Sequence, residues 1–139
     1  MKIEEKILLY KEELDFFEDK MDKYKYLLDQ GKKAKVFPEE YRKQVFLVSG
    51  CQAQVWLVPK FENGLIDFLS DSDAFISKGM VTILCDIYGN KKPKEIINSD
   101  FDKLDSLGLN NILTPTRRNG VYSMLNYIKK YSKDYLNIN

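Results

Sequence analysis

Cys51 is the residue of this sequence with the greatest capacity for covalent chemistry. It lies in the stretch Ser49-Gly50-Cys51-Gln52-Ala53-Gln54-Val55-Trp56, between two short apolar runs. A thiolate is a strong nucleophile and can exchange with sulfur that is bound to a second sulfur atom. The glycine before Cys51 allows a sharp backbone turn that would lift the thiol out of a sheet. From the residues alone, an active thiol and an incidental surface cysteine both stay open.

The other reactive side chains of the sequence restrict the reactions and metal sites that this chain can support. Cys85 lies in the apolar stretch 80–88, where a free cysteine usually behaves as a small buried hydrophobe. The sequence has no histidine, which removes the usual general base and the usual metal ligand. Two distant cysteines without histidine cannot supply the four ligands of a closed zinc or iron–sulfur site. We therefore expect neither a metal nor a cofactor on this chain.

Arg117 and Arg118 follow Thr114-Pro115-Thr116, where we expect the last helix to begin with Thr116 as its cap. Cations in the first turn of a helix interact unfavourably with its dipole. An arginine pair at this position therefore suggests a role other than stabilising the helix. A solvated basic pair is one interpretation. A contact with an anion or a partner is the other, and it would lower the pKa of Cys51 if the loop folds nearby. Asp71 and Asp73 are expected to be helix caps.

Composition favours one folded domain over residues 1–139. Hydrophobic residues make up 44% of the chain, enough to build a core, and the net charge is only +1. This charge balance gives no large electrostatic footprint for nucleic acid or an anionic membrane. Apolar runs are too short to span a bilayer, and Glu4 and Glu5 do not suit a signal peptide. We expect a cytoplasmic monomer with free thiols.

The apolar pattern predicts an α+β fold. Apolar residues recur at helical spacing from Ile3 to Leu28, and Asp19 is expected to cap a second helix that ends near Gln30, before Gly31; a coiled-coil arm is the alternative. Residues 45–48, 54–58 and 65–69 predict three consecutive antiparallel strands, with Cys51 on the first turn and Asn63-Gly64 on the second. Further helices are expected over 75–88, from Pro93, from Asp100 to Gly108, and from Thr116 to the C-terminal region.

Three stretches of the sequence resemble the SufE family, whose members accept sulfur from a cysteine desulfurase. The stretches are Gly50-Cys51-Gln52-Ala53-Gln54-Val55-Trp56, then Asp71-Ser72-Asp73-Ala74 with Lys78-Gly79, and Leu113-Thr114-Pro115-Thr116-Arg117 with Gly120. Residues 24–31 and 37–39 extend the resemblance over nearly the whole chain. Ala53 departs from the family pattern, since serine is usual there, and Phe46 and Leu47 replace more polar residues.

The resemblance implies a fold like that of the U-type iron–sulfur scaffolds, without their metal ligands. It implies that Cys51 attacks the persulfide of a SufS-like desulfurase and passes the sulfur to a scaffold complex that contains SufB. The desulfurase, not this chain, would hold pyridoxal phosphate. The cysteine loop would turn inward to shelter the persulfide and outward to meet the partner. The residues implied in positioning this loop or contacting the desulfurase are Gly50, Gln52, Gln54, Trp56, Asp73 and Arg117.

Three alternatives to this function stay open. A stand-alone thiol enzyme, such as a peroxidase that forms a sulfenate on Cys51, would need a resolving thiol or a reductant. A paralogous carrier would deliver sulfur to a different acceptor. A binding module would carry Cys51 incidentally.

Overall fold

The N-terminal region forms two helices, as predicted. The computed structural model describes residues 1–138, and its first helices are α1 (Ile3–Asp15) and α2 (Lys20–Gly31). The side chain of Asp19 accepts a hydrogen bond from the backbone N–H of Met21 at 2.9 Å. Because this cap satisfies an N–H that has no partner within the helix, it starts α2 as a separate element. The division at Asp19 is therefore confirmed.

The sheet consists of two antiparallel strands, so the prediction of three was wrong. Strand β1 (Val55–Glu62) pairs with β2 (Leu65–Ser72) along its whole length. Asn63 and Gly64 connect the strands with φ angles of 56° and 78°. Positive φ at both central residues is what a tight hairpin turn of this kind requires, so the predicted hairpin is confirmed.

Residues 45–48 do not form the predicted first strand. Gln44–Phe46 is a 3₁₀ turn in which Val45 is 72% exposed. Only Leu47 forms a bridge, to Trp56 on the outer edge of β1. The short apolar run suggested a buried strand, but the turn directs the Val45 side chain into solvent and leaves one residue to pair.

β1 continues past Pro59, where the sequence pattern predicted its end. The carbonyl of Val55 accepts a hydrogen bond from Val48 and so faces away from β2. Backbone groups alternate in direction along a strand, so Pro59, four residues on, presents its missing N–H to the same outer side. The pairing with β2 loses nothing, and the strand runs on to Glu62.

Helix α3 (Phe75–Tyr88) lies at the centre of the molecule, in contact with α2, β2 and the final helix α5 (Pro115–Asp134). Its buried residues lie on several sides of the helix, which agrees with enclosure by these elements. At Gly79 an added Cβ would lie 2.0 Å from the carbonyl oxygen of Leu27, so α2 and α3 cross with their backbones in contact. Only a glycine permits this approach.

The expected caps of two helices were wrong. Ala74, and neither Asp71 nor Asp73, is at the N-cap of α3, and it makes no side-chain cap. Helix α5 begins two residues earlier than expected, because Thr114 rather than Thr116 accepts the cap hydrogen bond. Pro115 then occupies the first helical position, where its fixed φ suits the helix and no N–H is needed.

The segment between α3 and α5 contains one short helix, α4 (Pro93–Ile97), followed by 3₁₀ turns. Asp100 caps the first of these turns, Phe101–Leu107, and Gly108 ends it in the left-handed conformation with φ of 70°. The predicted boundaries are right, and the helix type is 3₁₀. Within residues 1–138, no helix combines the length and apolarity needed to cross a bilayer.

Candidate functional site

Residues 49–54, which we call the cysteine loop, are fastened at their C-terminal end by Asp73. The backbone N–H of Gln54 donates to the Asp73 carboxylate at 3.0 Å, and the Asp73 N–H donates to the Gln54 carbonyl at 3.3 Å. The hydroxyl of Ser72 donates to the same carbonyl at 2.7 Å. A charged acceptor strengthens such a hydrogen bond. Asp73 therefore ties the loop to the end of β2.

The N-terminal half of the loop lies along one stripe of α5. Residues spaced by three and four positions on a helix share a face, and here that face carries small or hydroxyl side chains. The three contacts pair Ser49 with Tyr127, Gly50 with Ser123, and Cys51 with Gly120. We call Gly120, Ser123 and Tyr127 the loop-facing stripe.

Gly50 has to be glycine for two reasons. Its φ of 91° is strained for any residue with a Cβ, and an added Cβ would lie 2.4 Å from Ser123 Oγ. The turn and the close approach to α5 together direct the next side chain, that of Cys51, toward the helix.

The Cys51 thiol is half-buried against α5. Its Sγ donates to the carbonyl oxygen of Gly120 at 3.5 Å, and an added Cβ on Gly120 would also lie 3.5 Å from that sulfur. Burial raises the pKa of Cys51, because desolvation disfavours the thiolate. In this conformation the thiol is protonated and sheltered, which makes it a weak nucleophile.

A cavity of about 230 Å³ opens beside Cys51 between the loop, α3 and α5. Its walls are mostly apolar, and Arg117 adds a positive charge. The lining residues are Cys51, Gln52, Ala53, Ala74, Ile76, Ser77, Met80, Thr116, Arg117, Gly120, Val121 and Met124. The volume accommodates additional atoms on Sγ without displacing the core.

The side chains of Arg117 and Arg118 point to different parts of the structure. Arg117 is exposed and lines the cavity, and its guanidinium makes a long 3.5 Å contact with the Tyr24 hydroxyl. Arg118 turns away and donates to the side-chain oxygen of Asn110 at 3.1 Å. Because burial raises the pKa of Cys51, these arginines do not hold it below its ordinary value in this conformation.

Trp56 is not brought together with Cys51. It is buried under Arg42, whose guanidinium carbon lies 4.8 Å from the indole ring, and Phe37 packs beside it. Arg42 is held in place by Asp71 at 2.8 Å. Trp56 therefore anchors the segment around residues 37–42 to β1. Gln52 and Gln54 are exposed, and Gln52 lines the cavity.

Ser123 and Tyr127 are loop contacts that were not predicted from the sequence. The apolar residues of α5, such as Val121 and Met124, predict which side of the helix faces the core and give no expectation for the neighbouring face. The signal available was the spacing of Gly120, Ser123 and Tyr127, which puts small and hydroxyl-bearing side chains on one stripe.

Cys85 lies on a different side of the molecule. It lines a groove of about 830 Å³, and burial raises its pKa to about 12. The Lys6–Asp86 ion pair at 2.9 Å and the Lys35–Asp67 pair at 3.1 Å flank this groove. Cys85 therefore does not stand beside Cys51 as a resolving thiol. Among residues 1–138, no group of three acidic or cysteine side chains is arranged to hold a metal ion.

Comparison with known proteins gives one family and several relatives. The family described as SufE, Fe-S metabolism associated domain, matches residues 9–132. The Cysteine desulfuration protein SufE of Wigglesworthia glossinidia brevipalpis is 36% identical over 114 residues, covering 81% of this chain and 79% of that protein. An uncharacterized SufE-like protein of Rhizobium etli is 37% identical over 123 residues, covering 85% and 83%.

The same fold is found in a solved structure of another protein. It is the solution structure of a hypothetical protein from Thermus thermophilus, with a TM-score of 0.77 over 94% of this chain and 96% of that chain. The sequence identity is 18%, so the likeness concerns the fold alone.

Proposed function

The chain belongs to the SufE family, and on this premise we propose that Cys51 accepts sulfur from the persulfide of a cysteine desulfurase and carries it for iron–sulfur cluster assembly. The observation that carries the proposal is the position of Cys51, at the tip of a tethered loop and beside a cavity of about 230 Å³. A carrier needs both an accessible nucleophile and a shelter for its cargo, and a movable loop beside a cavity can provide each in turn.

The proposed transfer is a thiol exchange. The Cys51 thiolate attacks the outer sulfur of the desulfurase persulfide, and the bond between the two partner sulfurs breaks as the new one forms. The desulfurase cysteine leaves as a thiolate and takes up the proton that Cys51 released. Cys51 then holds the persulfide, and no external oxidant or reductant is consumed. Pyridoxal phosphate acts on the desulfurase, where the persulfide is first made.

Loop movement is part of this proposal. In the inward conformation Cys51 is half-buried and its pKa is raised, so attack on a second protein requires the loop to turn outward. On return, the outer sulfur of the persulfide would enter the cavity, away from solvent thiols. The delivery step repeats the exchange, with a thiol of a SufB-containing scaffold complex as the attacking group.

The other predicted site residues have supporting parts in this proposal. Asp73 and Gly50 fix the two sides of the cysteine loop, since one tethers Gln54 and the other forms the turn. Gln52 and Arg117 are exposed at the cavity and would contact the desulfurase. Trp56 is buried under Arg42, so it would act by supporting β1.

Intact mass spectrometry tests the proposal. After incubation with a cognate desulfurase and cysteine, the wild-type protein is expected to gain the mass of one sulfur atom. Cys51→Ser is expected to gain none, whereas the matched variant Cys85→Ser keeps the gain. Addition of sulfur to Cys51→Ser at the wild-type level would reject Cys51 as the acceptor.

A further inference from the structure

We propose that Tyr127 is a latch that holds the cysteine loop inward and must release Ser49 before Cys51 can meet its partner. This inference rests on the proposed sulfur transfer, which requires the loop to turn outward. Tyr127 makes no hydrogen bond to Cys51, whose thiol donates to Gly120, and it does not line the cavity beside that thiol. It is therefore a positioning residue that would act on Cys51 through the loop backbone.

One hydroxyl makes both hydrogen bonds of the latch. The backbone N–H of Ser49 donates to Tyr127 Oη at 3.1 Å, and Tyr127 donates to Ser49 Oγ at 3.0 Å. Ser49 lies two residues before Cys51 and is exposed, so these bonds hold the loop at its solvent side. Both must break when residues 49–51 leave α5.

The other contacts between the cysteine loop and the loop-facing stripe hold the loop less strongly than the Tyr127 hydrogen bonds. The Cys51 thiol is a weak donor, and its contact with Gly120 is 3.5 Å long. Gly50 meets Ser123 by close packing, and the Gln54–Asp73 pair lies at the far end of the loop, where it can act as a hinge. The N-terminal half of the loop is thus held mainly by the Tyr127 hydroxyl.

The contribution of the Tyr127 hydroxyl can be tested separately from that of the Tyr127 ring. The Tyr127 ring packs edge-on against Tyr131 with centroids 6.2 Å apart, and Lys130 Nζ lies 6.0 Å from the ring centre. Tyr127→Phe keeps these ring contacts and removes only the latch. Tyr131→Phe is the matched control, since it makes the same change one turn away without a hydrogen bond to the loop.

The test is the rate at which iodoacetamide alkylates Cys51 in the isolated protein, followed by peptide mass spectrometry. Loss of two hydrogen bonds from the inward state should raise the open population, so Tyr127→Phe is expected to react about five- to tenfold faster. Cys85 in the same molecules should react at the wild-type rate. A general loss of stability would instead accelerate both cysteines.

Ser49→Ala provides a second variant. It removes the acceptor oxygen but keeps the backbone bond to Tyr127, so a smaller acceleration is expected. In sulfur transfer, Tyr127→Phe should lower the half-saturating concentration of this protein for the desulfurase while leaving the maximal rate near wild type. Tyr131→Phe should change neither quantity.

Wild-type alkylation rates at Cys51 in both Tyr127→Phe and Ser49→Ala would overturn the latch. So would an acceleration of equal size in Tyr131→Phe. Should Tyr127→Phe fail to fold, Ser49→Ala alone decides. Alkylation needs no desulfurase, so the latch and the sulfur transfer are tested independently. Wild-type alkylation rates with normal sulfur addition would reject the latch alone. Faster alkylation of the variants without sulfur addition to the wild-type protein would reject the sulfur transfer alone.

Discussion

At the scale of the residue, Cys51 carries a reactive thiol in surroundings that suppress its reactivity. Its thiol faces the Gly120 carbonyl and is half-buried, which raises its pKa. A raised pKa keeps the thiol protonated at neutral pH and slows reactions with stray electrophiles. In the isolated protein, Cys51 is therefore expected to react slowly with electrophiles as long as the loop stays inward.

The pH dependence of Cys51 alkylation checks this state. In a Cys85→Ser background, the midpoint of the rate profile should lie at higher pH in the folded protein than in the urea-unfolded chain. The folded pKa is the raised one, so this thiol stabilises the fold fully at pH values below its unfolded pKa. That stabilisation is lost as the pH rises through the folded pKa. A folded midpoint at or below the unfolded one would contradict burial as the cause.

Sequence reasoning at this scale found the thiol but not its support. Cys51 could be singled out because a cysteine after glycine is a local signal, whereas the acidic cluster pointed to helix caps and only the resemblance to the SufE family placed Asp73 at the loop. Tyr127 lies 78 residues from Ser49, so their contact depends on how α5 packs against the loop. Such a pairing is set by tertiary structure, and a single sequence reports only the helical spacing of the stripe.

At the scale of the element, the crossing of α2 and α3 fixes the scaffold beneath the site. Gly79 lies one residue before Met80, which lines the cavity, and its backbone rests against Leu27 of α2. The position of α3 relative to the cysteine loop therefore depends on a contact between two backbones.

Substitution at this crossing is expected to reverse the usual effect of alanine in a helix. Gly→Ala normally favours a helix by about 1 kcal/mol. At Gly79 the new methyl would meet Leu27 oxygen, so Gly79→Ala should lower the free energy of unfolding by about 1–3 kcal/mol in urea titrations. Gly31→Ala, whose Cβ would lie 3.2 Å from the Gly79 nitrogen, should cost less. Wild-type stability of Gly79→Ala would contradict the tight crossing.

The elements also show which sequence signals are dependable. Helix α3 was predicted correctly because fourteen residues with helical periodicity leave little ambiguity. The four residues 45–48 were too few to distinguish a strand from a turn. Whether they pair depended on a neighbouring surface, and Val45 has none. The end of β1 was wrongly predicted for a related reason, since only the direction of the missing N–H of Pro59 decides whether it ends a strand.

At the scale of the whole molecule, the core is built around α3, and the buried Tyr88 hydroxyl within it is unsatisfied. Tyr88 has no exposed surface, and its hydroxyl has no hydrogen-bond partner among the described residues. Its ring stacks on Phe101 with centroids 5.2 Å apart. A buried hydroxyl without a partner costs free energy that the ring contacts must offset.

Tyr88→Phe is therefore expected to raise the melting temperature, by a gain of up to about 1 kcal/mol in the free energy of unfolding. The same change at Tyr10 should have the opposite sign, because the Tyr10 hydroxyl donates to Asp86 at 2.5 Å and joins α1 to α3. Thermal unfolding of both variants compares them directly. A clear loss of stability in Tyr88→Phe would mean that its hydroxyl has a partner.

The α+β class and most helix boundaries followed from the sequence, whereas the number of strands did not. A two-stranded sheet leaves two free sides, and here each carries a single bridge, Leu47–Trp56 on one and Ile66–Lys91 on the other. A carrier that opens its loop repeatedly would loosen the first of these. Pro59 then interrupts the row of donors on that side, so a neighbouring copy meets a broken template. Under the proposed carrier function, Pro59 would therefore disfavour edge-to-edge association of two copies whenever the Leu47–Trp56 bridge is broken.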